Sequence, residues 1–200
     1  MKASLSTVLE RAGAFFMKQS PIHSAARRIA ETLTEMKIPF AVAGALAANA
    51  HGHVRTTEDV DILLQPQGLR DFKQQWLGRG WSEKFAGSKG IRDTIHGVNI
   101  DVLLTGEYPG DGQPKPVAFP DPAAVAEPDE EGIPILALRA LIELKLASGM
   151  TAPDRPRDLD DVIQLVRTNE LPRDYADQLN PYVRAKYDEL WNAAQHKDEY

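Results

Sequence analysis

The stretch Arg55–Leu64 reads RTTEDVDILL, and it begins an apolar run with two carboxylates that lie one residue apart. Because alternate side chains of a β-strand share a face, Asp59 and Asp61 would point the same way, about 7 Å apart at Cα. Two carboxylates on an otherwise apolar strand repel each other and lose solvation, a cost that divalent cations remove. Mg²⁺ is the expected ion, since it takes oxygen ligands and commonly bridges to substrate phosphates. The alternative is a strand end that carries two solvated acids.

A second strand-like run, Gly97–Leu104 (GVNIDVLL), carries one carboxylate, Asp101, among apolar and β-branched residues. If the two strands are neighbours, Asp101 faces the same site as Asp59 and Asp61. Three acids on adjacent strands suit two metal ions, about 3.5–4 Å apart, that clamp the attacking and leaving oxygens of a phosphoryl transfer. Asp101 is also placed to take the proton of an attacking hydroxyl. The alternative for a lone aspartate is an edge or turn position.

A glycine joins a short predicted strand, 39–43, to the alanine-rich segment Gly44–Gly52. The composition predicts a helix of two turns over 44–51, with Gly52 as its terminator. A strand–glycine–helix junction directs free backbone N–H groups outward, which suits a phosphate. The alternative is tight packing of small residues between a strand and a helix.

These residues resemble the nucleotidyltransferase superfamily, whose fold is shared with DNA polymerase beta. More narrowly, they resemble its minimal and abortive-infection toxin (AbiEii-like) branches. The family signature is Gly followed by Gly or Ser, a spacer, Asp-x-Asp and a later single Asp, and these positions are taken by Gly44, Asp59, Asp61 and Asp101. Ala45 replaces the second Gly or Ser of the signature. It keeps the backbone N–H but lacks the hydroxyl, so we expect a weakened triphosphate contact.

The residues around the signature also resemble the toxin branch, in which the run reads Gly-Gly-x-Ala, then His-Gly, then Arg-x-Thr-x-Asp-x-Asp. Ala47, His51-Gly52 and Arg55-Thr56-Thr57 take those places. The resemblance implies that the NTP is bound by four residues: Gly44, Ala45, Arg55 and Thr57.

The second half of the chain has a helical run, Leu138–Gly149, whose apolar arc contains Lys145 near its middle. A lysine there must either extend to solvent or meet an anion. The run resembles the Leu-x-x-Leu-Lys-Leu helix of the toxin branch, whose lysine reaches the active-site acids or phosphates. Arg155–Val162 resembles the Arg-x-Lys-Asp-x-x-Asp motif, with Arg157 in place of the lysine. Asp158 is either a partner of Lys145 or a first-turn carboxylate favoured by the helix dipole.

Composition limits the remaining possibilities. The chain has 200 residues and a net charge of −6. It contains no cysteine, which excludes disulfides and zinc–thiolate sites. The negative charge disfavours a protein dedicated to tracking long nucleic acid. Six basic residues lie between Asp61 and Asp101 in sequence, and they form either one patch beside the site or a solvated face; we favour the solvated face. These residues are Arg70, Lys73, Arg79, Lys84, Lys89 and Arg92. Glu10 and Arg11 interrupt any leader sequence and no apolar stretch could span a membrane, so we expect a cytoplasmic protein.

The order of predicted elements indicates an α+β fold, a nucleotidyltransferase-like mixed β-sheet flanked by helices with a helical C-terminal part. Predicted helices cover 4–18, 23–36, 44–51, 68–78, 137–149, 157–168 and 181–195, and predicted strands cover 39–43, 58–64, 81–85 and 91–96, followed by the Asp101 strand. Tyr108–Pro122 is rich in Gly and Pro and is predicted to be a loop, long enough to serve as a lid or a substrate-facing segment. We divide the chain into N-terminal helices (1–36), an α/β core (37–135) and a helical region (136–200).

The expected function is a metal-dependent enzyme that moves a nucleoside monophosphate from an NTP to a hydroxyl acceptor. Asp59, Asp61 and Asp101 would hold two Mg²⁺ ions, with Lys145 and Asp158 as further catalytic residues. The toxin resemblance implies an RNA acceptor such as tRNA, and a toxin or antitoxin partner protein. The alternatives are transfer to a small molecule such as an aminoglycoside or to a protein side chain, or a catalytically silent antitoxin or interaction module of the same fold.

Overall fold

A computed structural model of the protein describes residues 13–14 and 20–196. The predicted helix 4–18 lies outside these residues, apart from positions 13 and 14. The strands are β1 (Phe40–Val42), β2 (Asp59–Leu64), β3 (Trp81–Glu83), β4 (Ile91–Asp93), β5 (Val98–Leu104), β6 (Ala126–Pro128) and β7 (Pro134–Leu136). The helices are α1 (Pro21–Glu35), α2 (Gly44–Ala50), α3 (Pro66–Trp76), α4 (Pro122–Val125), α5 (Leu138–Thr151), α6 (Pro156–Thr168), a 3₁₀ helix (Arg173–Gln178) and α7 (Pro181–Gln195).

The described strands form one mixed sheet in the order β3-β4-β5-β2-β1-β7-β6. At its centre β2 runs parallel to β5 and antiparallel to β1, and β1 runs parallel to β7. The register of the central parallel pair places Asp61 beside Asp101, and Asp59 beside Asn99. The predicted α+β fold with a mixed sheet and helical flanks is therefore confirmed.

The two faces of the sheet bury separate apolar clusters. Alternation along β2 sends Val60, Ile62 and Leu64 into the cluster with α1, while Leu63 enters the cluster with α5, α6 and α7. Asp59, Asp61 and Leu63 are alternate residues of β2 and share one face of the strand. The two carboxylates therefore lie on the face that the C-terminal helices cover. The C-terminal helices are thereby in a position to contribute side chains to the acidic site.

Several short elements differ from the sequence prediction. β3 and β4 have three residues each, shorter than the predicted 81–85 and 91–96. The hairpin β6–β7 and the single-turn helix α4 were not predicted, because strands of three residues with proline at one end show no periodicity. The Asp129 carboxylate closes this hairpin by accepting the backbone N–H groups of Glu131 and Ile133. The predicted loop 108–122 is confirmed, since it holds no helix or strand before α4 begins at Pro122.

Within the part of the chain described here, every helix is too short or too polar to cross a membrane.

Candidate active site

Three aspartates converge on one face of the central strand pair. Asp59 and Asp61 lie on one face of β2, and Asp101 is the register partner of Asp61 on β5. All three line a cavity of about 300 Å³. The cavity is also lined by other predicted site residues: Gly44, Ala45, Arg55, Thr57, Lys145 and Asp158. The structure thus brings together every residue that the sequence analysis singled out for the site.

Gly44 packs directly against the Asp61 carboxylate. Its φ of +58° is a conformation that L side chains rarely adopt, and a Cβ there would lie 1.8 Å from Asp61 Oδ2. The preceding residue ties the same two segments together, since the Ala43 backbone N–H donates to the Asp61 carbonyl oxygen at 2.8 Å. Glycine is therefore required here both for the backbone turn and for the space that the carboxylate occupies.

The electrostatics of the acids are unfavourable for ionised Asp61. Burial raises the pKa of Asp61 to about 7, the negative charges of Asp59 and Asp101 add to this increase, and the positive charges of Lys145 and Arg155 oppose it. The other two acids have protein partners. Thr57 Oγ1 donates to Asp59 Oδ1 at 2.8 Å, and Lys84 Nζ lies 2.6 Å from Asp101 Oδ1.

The donor set suits a hard divalent cation. Three carboxylates on adjacent strands, two of them forming no ion pair with any described residue, are oxygen ligands whose mutual repulsion Mg²⁺ would relieve. Among residues 13–14 and 20–196, no three acidic or histidine side chains are arranged so that they could bind a metal ion together without rearrangement. In this arrangement Lys84 Nζ lies 2.6 Å from Asp101 Oδ1, an oxygen that could otherwise serve as a metal ligand.

A buried ionic network joins the segment before β2 to the C-terminal helices. Its centre is Asp161 of α6, which is fully buried. Lys145 Nζ contacts Asp161 Oδ2 at 2.5 Å and Asp158 Oδ1 at 3.1 Å. Arg55 binds Asp161 through two nitrogens, Nε at 2.8 Å and Nη2 at 2.9 Å. His53 Nε2 lies 3.1 Å from the same carboxylate.

Two cations have a larger effect on the pKa of Asp161 than burial has. Burial alone would raise the pKa of Asp161, but the charges of Lys145 and Arg55 and their hydrogen bonds hold it below its ordinary value. Asp161 therefore remains ionised and fixes both cations. The interpretation of Asp158 as a partner of Lys145 agrees with this geometry, and Ser148 Oγ holds the other oxygen of Asp158 at 2.6 Å.

Sequence reasoning missed two residues that organise the site. Asp161 is the last aspartate of the motif in α6, but two of its partners, His53 and Arg55, lie more than a hundred residues away in sequence. Asn49 holds the turn before β2, since its side chain donates to the Arg55 carbonyl and accepts the Arg55 N–H, both at 2.9 Å. An asparagine next to the end of a helix was the signal available for the second of these.

Two arginines at the start of α6 complete the cavity. Arg155 and Arg157 are exposed and line its wall, and neither guanidinium lies within ion-pair distance of a carboxylate in the described part of the chain. Positive charge that is not already paired is available here for a polyanion.

The fold is similar to that of solved nucleotidyltransferase structures. A candidate nucleotidyltransferase from Thermotoga maritima, TM1012, matches with a TM-score of 0.50 at 19% identity, over 70% of this chain and 91% of that chain. ANT(2")-Ia in complex with adenylyl-2"-tobramycin matches with a TM-score of 0.42 at 13% identity, over 86% and 88% of the two chains. A solution structure of ANT(2'')-Ia matches with a TM-score of 0.39 at 17% identity, over 84% and 79%.

The likeness to the Thermotoga structure establishes the fold. At 19% identity, the match to the Thermotoga protein shows that this chain has a nucleotidyltransferase-like fold. No protein-family model matches the chain, and no curated protein matches it significantly. The fold alone does not define the activity, which depends on the residues of the site.

Gly44→Ala is expected to destabilise the protein more than the same change at another glycine with positive φ. Gly78 (φ +81°) is the matched control, because a Cβ there meets nothing within 4 Å. Both variants add backbone strain, but only Gly44→Ala displaces Asp61, so we expect an additional loss of about 1–3 kcal/mol in unfolding free energy. Urea denaturation measures the difference, and equal losses at the two positions would contradict the packing argument.

Asp61→Asn is expected to stabilise the metal-free protein. Below pH 3.8, the ordinary aspartate value, Asp61 is protonated whether the chain is folded or unfolded. As the pH rises to about 7, the unfolded chain loses this proton before the folded chain does, so the free energy of unfolding falls, by at most about 4 kcal/mol. Asparagine cannot ionise, so the free energy of unfolding of the variant does not fall in this way as the pH rises.

The stabilisation by Asp61→Asn should therefore be larger at pH 8 than at pH 5 when chelator is present. Urea denaturation at the two pH values measures it, with Asp177→Asn as an exposed control. A gain that does not grow with pH would show that Asp61 ionises without cost in the folded protein.

Asp161→Ala is expected to cost about 3–5 kcal/mol of unfolding free energy, because it leaves Arg55 partly buried without an ion pair and Lys145 with Asp158 as its remaining partner. The neighbouring Asp160 is exposed, and Asp160→Ala should change stability by less than about 0.5 kcal/mol. Chemical denaturation of the pair tests whether the network is required for stability. Similar values for the two variants would contradict that role.

Proposed function

We propose that the protein transfers a nucleoside monophosphate from an NTP to a hydroxyl acceptor and releases pyrophosphate. The observation that carries this proposal is the convergence of Asp59, Asp61 and Asp101 beside Gly44 in a cavity that also contains unpaired arginines. An acidic cluster for metal next to cations for phosphate is the combination that phosphoryl transfer requires. The nucleotidyltransferase-like fold is consistent with the proposal.

We assign the triphosphate to the side of the cavity that Gly44 and Ala45 share with the C-terminal helices. The backbone N–H groups that follow the glycine turn are suited to phosphate oxygens. Arg155 and Arg157 line the same cavity and supply positive charge. Lys145 reaches this cavity while held by Asp158 and Asp161, so its ammonium position is fixed before substrate arrives. Arg55 and Thr57 act here mainly by orienting Asp161 and Asp59.

The reaction joins an acceptor oxygen to the α-phosphorus and breaks the bond from that phosphorus to the β-phosphate oxygen. Asp59, Asp61 and Asp101 would hold two Mg²⁺ ions, which when bound stabilise the charge on the attacking and leaving oxygens. Asp101 accepts the proton of the attacking hydroxyl. Its contact with Lys84 must open for this, and the released ammonium then adds positive charge beside the reacting phosphate.

The toxin-related (AbiEii-like) branch is the more specific form of this proposal, with RNA such as tRNA as acceptor and an antitoxin as partner protein. Its support is the motif that ends in Asp158 and Asp161, together with Lys145, since these residues contact one another. A small-molecule or protein acceptor remains the alternative enzyme assignment.

Asp61→Ala should abolish nucleotide transfer while preserving the fold, because it removes the acid at the centre of the cluster. Labelled NTP is offered with Mg²⁺ and, in separate reactions, tRNA, a protein mixture and an aminoglycoside, which also identifies the acceptor class. Asp177→Ala is the control for an exposed aspartate. Incorporation that persists in Asp61→Ala at the wild-type rate would refute the assignment.

Calorimetry separates the enzyme from a silent module of the same fold. Wild-type protein should release heat with ATP only when Mg²⁺ is present, and Asp61→Ala should not. Absence of metal-dependent heat in wild type would favour the catalytically silent antitoxin or interaction module.

A further inference from the structure

A separate cavity of about 640 Å³ lies between α1, the end of α2 and the hairpin β6–β7, and we call it the hairpin cavity. Among the described residues, it shares no lining residue with the two cavities that meet at Asp61 and Asp101. Those are the one that contains Gly44 and a second one of about 930 Å³. A ligand in the hairpin cavity would therefore be bound without the three aspartates and without any metal that they hold.

The hairpin cavity has an apolar lining. Val42 and Ile135, from two neighbouring strands, are buried there, and Leu46 and Ile133 are partly buried. Val54 also lines the cavity and is 59% exposed, one of three exposed large apolar side chains in the part of the chain that the structure describes. Apolar side chains that line an open cavity gain free energy when a ligand removes them from water.

The hairpin adds negative charge to this apolar lining. Glu127, Asp129, Glu130 and Glu131 line the cavity, together with the guanidinium of Arg27. Asp129 is used within the hairpin, where it accepts backbone N–H groups, and Glu131 is bound by Arg27. Glu127 and Glu130 are exposed and form no ion pair with any residue that the structure describes. The cavity therefore repels anions and offers two carboxylates to a cation.

Arg27 shows how this hairpin holds a cation that is carried on an alkyl stem. Its side chain extends from α1 to the hairpin turn, where Nε and Nη2 bind the two carboxylate oxygens of Glu131 at 2.9 and 3.1 Å. Such a side chain covers apolar surface with its methylene groups while its charged end pairs with a carboxylate. A ligand built in the same way would place methylene groups on the apolar lining and positive charge at Glu127 and Glu130.

We infer that the hairpin cavity binds a linear aliphatic polyamine, a ligand in which ammonium groups alternate with short runs of methylene groups. The hairpin carboxylates would repel an organic anion such as a nucleotide. A neutral apolar ligand would leave Glu127 and Glu130 without a counter-charge, and a small inorganic cation would leave the apolar lining in water. A polyamine meets both requirements, because its ammonium groups pair with the carboxylates while its methylene groups cover the apolar side chains.

Isothermal titration calorimetry of the full-length protein with spermine tests this inference without ATP, Mg²⁺ or catalysis. Wild type should show one saturable site. Glu130→Gln should weaken binding about two- to fivefold, the loss expected for one exposed ion pair. Ala50→Trp keeps every charge but places a large side chain at an exposed position that lines the cavity, so it should weaken binding at least about tenfold.

Two controls separate the cavity from general attraction of a polycation to an acidic protein. Asp177→Asn removes an exposed carboxylate outside the cavity, and Ala50→Ser changes position 50 without filling the cavity. Neither should change the affinity by more than about twofold. The inference is overturned if wild type shows no saturable binding, if Glu130→Gln and Asp177→Asn weaken it equally, or if Ala50→Trp binds as wild type does. Circular dichroism of each variant confirms that the fold is retained.

This inference does not rest on the proposed function, and the two fail separately. Asp61→Ala should bind spermine with wild-type affinity although it loses metal-dependent ATP binding. Spermine affinity that falls in Asp61→Ala and is unchanged by the variants at positions 50 and 130 would place the polyamine at the aspartates and refute the hairpin site. Absence of ATP binding in wild type would refute the proposed function and leave the polyamine site standing.

Discussion

The crowding of three carboxylates on one face of a parallel strand pair is the constraint on which the rest of the structure depends. Asp61 is pressed against Gly44, lies beside Asp101 in register, and shares its face with Asp59. Such a cluster lowers the stability of the fold unless positive charge lies nearby. Lys84 supplies it from one side, and Lys145 and Arg155 oppose the pKa increase of Asp61 from the other. The positions of the surrounding cations follow from this requirement.

The C-terminal helices are part of the site and not an appendage to the sheet. Asp161 on α6 binds Arg55 and His53 from the turn before β2 and Lys145 from α5, so a single buried carboxylate fixes three segments. A division of the chain into an α/β core at 37–135 and a helical region at 136–200 describes the order of elements, but the ionic network crosses that boundary. The separate apolar cluster on the helical face of the sheet has the same consequence, because the helices bury the face from which the aspartates project.

Sequence pattern predicted the elements that carry local signals and not those fixed by distant contacts. The strand of Asp59 and the strand of Asp101 alternate acids with β-branched residues, and both appear as predicted. The hairpin β6–β7 has three-residue strands and prolines, so pairing with β1 determines it. The pair Lys84–Asp101 spans 17 positions and the pair Arg55–Asp161 spans 106, and no periodicity in either segment reveals such partners. The candidate site residues could be predicted because their types match a known chemistry, whereas Asp161 and Asn49 act through partners that only the folded chain shows.

The position of Asp101 between two cavities gives its contact with Lys84 a chemical meaning. An in-line displacement at phosphorus places the attacking and leaving oxygens on opposite sides of the reacting atom. In the proposed function, the cavity with Gly44, Arg155 and Arg157 would supply the positive charge that a leaving pyrophosphate needs. The other cavity opens towards Phe85. The lysine that neutralises Asp101 belongs to the loop lining the second cavity. In the proposed function, cations held by the aspartates would displace Lys84 from Asp101. Asp101 would then be free to act as the base, with an unpaired ammonium group beside it.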